Sequence, residues 1–119
     1  LHVHPGKLPE FRGSTTIYYS ILAGKTICAT LIQMDSGIDT GPTIFAQEFE
    51  VPSSLVDVDY VFDPILRTEV LIAYLEQSTT DSTFKNLGCS EAISGSHPIF
   101  FIIHPVLKHL AIKKQRGGW

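Results

Sequence analysis

The spacing of hydrophobic and polar positions changes several times along the chain, and each change predicts an element. Residues 1–4 read as the end of an extended segment, after which Pro5, Gly6, Pro9 and Gly13 exclude regular structure until Ser14. Ser14 and Thr15 are placed to cap a short helix in which Ile17, Tyr18, Ile21 and Leu22 fall at helical spacing and Gly24 is the stop. Over residues 25–34 the β-branched content, with Ile27, Ala29 and Leu31 alternating against Thr30 and Ile32, predicts a strand. Residues 35–42 form a polar turn, and residues 43–51 alternate Phe45, Gln47, Phe49 and Val51, so the two strands pair as an antiparallel hairpin with a long loop.

Residues 52–54 interrupt the pattern. Asp63 followed by Pro64 offers a cap with proline at the first helical position, predicting a helix over about 63–76. Leu66, Val70 and Tyr74, with Leu71 and Leu75 on an adjoining face, give it a wide buried stripe. Residues 78–98 are too polar to pack and read as a loop, residues 99–103 as a short extended piece, and Pro105 as the start of a further helix. Residues 113–119 are a basic, glycine-rich tail expected to fray. The order is strand, helix, strand, loop, strand, helix, an α/β chain without internal repeats.

At 119 residues the chain makes one domain. It starts on Leu1 with its chemically richest segment immediately following, so an N-terminal portion positioning that segment is expected to be missing. A composition that is 44% hydrophobic and 18% charged, with a net charge of −3, fits a globular protein and carries no electrostatic footprint for nucleic acid. No apolar run approaches the roughly 20 residues that span a bilayer, so no membrane partner and a cytoplasmic location are expected. Cys28 and Cys89 show neither metal-type spacing nor a disulfide framework and are read as reduced and structural.

The candidate chemistry begins with His2 and His4. Residues two apart on a strand project to one side, so both imidazoles can face one cleft, where Pro5 and Gly6 end the strand. Asp35 and Asp39 sit on a turn that Gly37 and Gly41 bend and Pro42 stiffens, which suits Asp39 to hold a carboxylate against an imidazole. Such a pairing raises the histidine pKa, whereas a protonated His2 beside His4 lowers it. The plainer roles stay open: a hydrogen-bonded structural histidine for His4, a frayed terminal residue for His2, and an Asx-turn for either aspartate.

The run from His4 through Gly6, Lys7, Leu8, Pro9, Phe11 and Arg12 to Gly13, and the run Met34-Asp35-Ser36-Gly37-Ile38-Asp39-Thr40-Gly41-Pro42, together resemble the formyltransferases that use 10-formyltetrahydrofolate. That family includes methionyl-tRNA formyltransferase, glycinamide ribonucleotide transformylase and the sugar N-formyltransferases, and the match covers about residues 1–77. The resemblance implies a partial Rossmann-like core with a mixed sheet, in which 1–77 is the second half of the catalytic core and 78–119 the polar excursion, apolar segment and basic tail. It implies an amine attacking the formyl carbon of the folate, with a catalytic Asn, His and Asp. The His falls on His4, the Asp on Asp39, and the Asn on His2, a departure from the family pattern.

The resemblance also implies that Asp35, Gly37, Ile38, Asp39 and Gly41 lie against the folate, and that Gly6, Lys7 and Leu8 shape the amine cleft with Arg12 turning into the helix. A Rossmann-like first half precedes this point in the family, so the chain is expected to be a fragment, weak or inactive alone, and prone to self-association as a homo-oligomer through its sheet edges. The charge of −3 and the short tail point to a small-molecule amine rather than tRNA, and the loop Pro5-Gly6-Lys7 and the segment 101–110 resemble the family members associated with surface sugars, which implies an amino sugar. Two other classes are weighed beside this: a catalytically degenerate remnant that acts as a binding module, and a metal-dependent hydrolase using the His-x-His pair with Asp39. The hydrolase needs further ligands, and His97, His104 and His109 read as loop polarity and helix surface, so no metal is expected.

Overall fold

The computed structural model describes residues 1–52, 56–80 and 96–117. In chain order the elements are β1 (His2–His4), β2 (Arg12–Gly13), α1 (Thr16–Ala23), β3 (Ile27–Ile32), β4 (Thr43–Phe49), a π-helical turn (Val58–Phe62), α2 (Asp63–Thr80), β5 (Ile99–Phe100) and α3 (Pro105–Gln115). This is the α/β order that the hydrophobic pattern predicts. β3 is the centre of an antiparallel three-stranded sheet between β1 and β4, and β2 and β5 form a separate parallel pair.

Strand alternation divides the main sheet into two faces. The register sets Val3 opposite Leu31 and Leu31 opposite Phe45, and these project into a core with Ile17, Ile21, Leu66, Val70 and Tyr74 from α1 and α2. His2 lies opposite Ile32, and His4 opposite Thr30, so both imidazoles leave from the other face. The predicted hairpin of β3 and β4 is present, with register Ile27 to Phe49 at its open end.

Local differences from the pattern have identifiable causes. Regular structure begins before Ser14, because Gly13, at φ 98°, brings its backbone against the Phe100 carbonyl where a Cβ would collide, and so Arg12 and Gly13 pair with β5. Thr15 adopts φ 53° and gives α1 no side-chain cap; its hydroxyl donates to Ser14 O at 2.8 Å and accepts from Ile103 N–H at 3.0 Å. Gly24 does end α1, in the left-handed conformation. β3 is buried at all six positions rather than at alternate ones, since the turn after β1 covers its second face and Thr30 donates to Gly6 O at 2.7 Å.

α2 continues to Thr80, and its buried stripe is narrower than expected: Leu66, Val70, Tyr74 and Ser78, spaced four apart, face inward, while Leu71 and Leu75 are 40% and 47% exposed. A sheet of three short strands covers only one such row. The tail is not frayed from Lys113, because α3 runs to Gln115, with Lys114 Nζ donating to Leu22 O and Gln115 Nε2 to Pro52 O. Cys28 is buried in β3, whereas Cys89 and most of the polar stretch 78–98 lie outside the described residues. Among the described residues no helix is long and apolar enough to cross a membrane.

Candidate active site

His4 is 1% exposed and has both ring nitrogens engaged. Nε2 lies 2.6 Å from the Phe11 carbonyl, which can only accept, so the proton of neutral His4 sits on Nε2. Nδ1 is left unprotonated, 3.4 Å from Asp39 Oδ1. The turn between β1 and β2 builds this arrangement. Gly6 passes so close that a Cβ would meet both His4 Nε2 and the Phe11 carbonyl at 2.6 Å, and the Thr16 hydroxyl donates to Pro5 O behind it.

Asp39 is delivered by the loop between β3 and β4. Asp35 Oδ1 accepts from the Thr40 hydroxyl at 2.6 Å and from Gly37 N–H at 2.9 Å, an Asx-turn that holds the Asp35 carboxyl below the usual carboxylate range, chiefly through Thr40. Asp39 itself sits at φ 51°, a left-handed conformation that aspartate tolerates better than most residues. β2 grips it from below: Arg12 Nε donates to Ile38 O at 2.9 Å, and Gly13 N–H donates to Asp39 Oδ2 at 2.8 Å. One carboxylate oxygen is therefore fixed by backbone and the other faces His4.

Asp39 raises the His4 pKa and His2 lowers it, as expected from the sequence, but neither sets the net direction. Burial dominates and lowers the pKa, against the raising influences of the Phe11 carbonyl and Asp39 and with smaller lowering contributions from His2 and Arg67. His4 is held neutral around pH 7, with an acceptor nitrogen beside a carboxylate that stabilises the protonated form.

Two clefts meet at Asp39 and His2. The larger, about 310 Å³, runs from His2, His4 and Asp39 past the start of α1 and Tyr18 to Asp59, Asp63 and Arg67. The smaller, about 210 Å³, is bounded by Ile32, Met34 and the 35–41 loop, and shares His2 and Asp39 with the first. Asp35, Gly37, Ile38 and Gly41 all line the smaller cleft. Gly6, Lys7, Leu8 and Arg12 line neither: Lys7 is exposed near Glu48, at 3.8 Å, and Arg12 is a buried clamp on the loop.

The pattern reading missed the far wall of the larger cleft. Asp63 and Arg67 pair at 2.5 Å across one turn of α2, a spacing legible in the sequence, and Arg67 Nη1 also donates to Val3 O at the edge of β1, at 3.0 Å. Tyr18, read as packing, is in the core but also borders this cleft; its phenol is pushed up to about 12 by burial and by Asp59, while Lys108 lies 5.1 Å from its ring centroid. His2, His4 and Asp39 each offer one metal-ligand atom, all within 4.8 Å of one another.

A family model described as formyl transferase matches residues 1–69. The chain belongs to the formyl transferase family. The methionyl-tRNA formyltransferase of Rickettsia bellii is 36% identical to it over 56 residues, 46% of this chain and 18% of that protein. A 4-N formyltransferase from Francisella tularensis superposes on 95% of this chain and 50% of its own with a TM-score of 0.61 at 19% identity. PseJ from Anoxybacillus kamchatkensis, solved with UDP-4,6-dideoxy-4-formamido-L-AltNAc and tetrahydrofolate, covers 98% and 64% with a TM-score of 0.59 at 17% identity. At those identities the likeness is one of fold, the Rossmann-like formyltransferase fold, and the chain spans less than two thirds of each of these proteins.

Proposed function

We propose that the protein transfers a formyl group from 10-formyltetrahydrofolate to the amine of a small molecule, with an amino sugar as the candidate class. The observation that carries this reading is that two clefts of different character meet at His2 and Asp39, with the buried His4 beside Asp39 in the larger of them. The smaller has apolar walls at Ile32, Met34 and Ile38 and a rim of loop backbone, which suits a flat heteroaromatic ring with a hydrogen-bonding edge. The larger is polar, bordered by Asp39 and by the Asp63–Arg67 and Asp59–Lys108 pairs, which suits a hydrophilic amine. That a neighbour of the same fold is described with a formamido sugar nucleotide and tetrahydrofolate together supports the pairing of these two ligand classes.

When bound, the folate supplies the activated formyl carbon. His4 Nδ1 takes the proton that the amine loses on attack, Asp39 stabilises the resulting imidazolium across the 3.4 Å gap, and His4 returns the proton to the donor nitrogen as its bond to the formyl carbon breaks and tetrahydrofolate leaves. The Phe11 carbonyl engages Nε2 and so leaves Nδ1 as the nitrogen free to accept a proton. His2, with its ring centroid 6.3 Å from that of His4, is assigned in this reading the hydrogen bond to the developing charge on the formyl oxygen, the role the resemblance gives to an asparagine.

The test is an assay of the purified protein with 10-formyltetrahydrofolate and a panel of amino sugars, alongside His4→Ala and Asp39→Ala. Loss of a general base costs about 10²- to 10⁴-fold, so both variants are expected to lose turnover on that scale. Turnover undiminished by either substitution removes that residue from the proposed role.

A further inference from the structure

The position where this chain departs from its family gives the cleft a second chemistry. We propose that His2, His4 and Asp39 form a binding site for a divalent transition-metal ion of the zinc type. This departs from the sequence expectation of a metal-free site, which rested on the lack of a fourth protein ligand; three ligands with an open position are the usual set of a zinc site open to solvent or substrate.

Two of the three ligand atoms are already held in ligand geometry. A tetrahedral zinc with bonds of about 2.0–2.2 Å separates neighbouring ligand atoms by about 3.3–3.5 Å, and His4 Nδ1 and Asp39 Oδ1 are 3.4 Å apart. Each is also oriented from behind. His4 donates its other ring nitrogen to the Phe11 carbonyl, and Asp39 receives Gly13 N–H on its other oxygen, the outer-shell support that metal-ligating histidines and carboxylates ordinarily have. Such support sets the ring orientation before any ion arrives.

The third ligand is adjustable. His2 is half-buried, no hydrogen bond to another described residue holds its ring, and its ligand atom is within 4.8 Å of the other two. Rotation of one side chain at the sheet edge closes the remaining gap. The charge available to a cation is that of Asp39, since Arg67 pairs Asp63 and Lys108 pairs Asp59 on the far wall of the cleft. With asparagine at position 2, as the family pattern has it, one imidazole and one carboxylate remain, too few for a site.

An ion bound there occupies the Nδ1 lone pair, so metal binding and base catalysis by His4 exclude one another. That consequence rests on the formyl-transfer reading, but the binding does not, and the experiment reads binding directly. Co²⁺ titrated into the purified protein is expected to give the intense visible absorption of a four-coordinate site, saturating at one equivalent and displaced by Zn²⁺. His2→Asn and Asp39→Asn, which keep the polarity of their positions, are each expected to weaken binding at least about tenfold. His104→Gln with His109→Gln, at the start of and within α3 and lining neither cleft, is expected to leave it unchanged. No saturable spectrum up to about 1 mM Co²⁺, equal affinity in His2→Asn, or loss of the site in the α3 double variant would each overturn the proposal, while formyl transfer stands or falls on its own assay.

Discussion

The two faces of the central sheet are built from the same three strands and follow opposite rules. On one face Val3, Leu31 and Phe45 meet Leu66 and Val70 of α2, and what matters is volume and apolarity. On the other, His4 and Thr30 each bond a named carbonyl, Phe11 and Gly6, and what matters is the position of single atoms. A face of the first kind tolerates exchange among hydrophobic residues of similar volume. A face of the second kind fails when one partner moves. The protein uses the first to hold the second flat.

The largest effect expected from breaking this division is on the packed face. Leu66 is 0% exposed, and Leu66→Ala removes its transfer energy and leaves a cavity, a loss of about 2–5 kcal/mol in unfolding free energy. Leu71→Ala on the same helix, at a position 40% exposed, is expected to cost less than about 0.5 kcal/mol. Urea or thermal unfolding of the pair measures both. Equal losses would mean that α2 packs through a broader stripe than its four-residue row.

Much of this was legible in the sequence, for a physical reason. Period-two alternation in residues 1–4 and 25–34 puts His2 and His4 on one side and Val3 on the other without any knowledge of the partners, and Gly37, Gly41 and Pro42 mark the loop that carries Asp39. The closure of the site was not legible. Arg12 clamps Ile38 from 26 positions away, and Gly13 reaches both Asp39 and β5, contacts that depend on which segments meet and leave no periodic trace. The π-helical turn at Val58–Phe62 likewise forms around Asp57, whose carboxylate accepts from Tyr60 N–H at 2.8 Å, and its apolar content resembles an ordinary helix start.

A smaller effect sharpens the account of the polar face. In the proposed formyl transfer His4 is a base only when neutral, so kcat is expected to fall as pH drops, with a midpoint below 6.5 because burial lowers the His4 pKa. Asp39→Asn removes a raising influence and is expected to move the acid limb to lower pH, on top of its loss in rate; His2→Asn removes a lowering one and is expected to move it higher. Shifts of the same sign in both would show that the limb belongs to another group. The linked effect on stability has one direction. Above pH 6.5 both folded and unfolded His4 are neutral and nothing changes; below it the unfolded chain takes up the proton more readily, so stability declines with acid.

The smallest effect lies where the larger cleft gives way to the C-terminal helix. Lys108 Nζ bonds Asp59 Oδ2 at 2.5 Å and lies 5.1 Å from the Tyr18 ring centroid, joining α3 to the π-helical turn and α1. Both charged groups are over a third exposed, so the pair is worth only about 0.2–1 kcal/mol in a double-mutant cycle. Its signature is instead the phenol of Tyr18, at about 12, which burial raises most, Asp59 raises further and Lys108 lowers. In an ultraviolet titration of tyrosinate, Asp59→Asn is expected to bring that pKa down and Lys108→Met to push it up. Opposite movements on two substitutions of one ion pair require that both charges sense the same hydroxyl, which places α3 at the wall of the cleft. Movement in one direction only would leave α3 as packing, and confine the chemistry of this end of the molecule to α1 and the turn before α2.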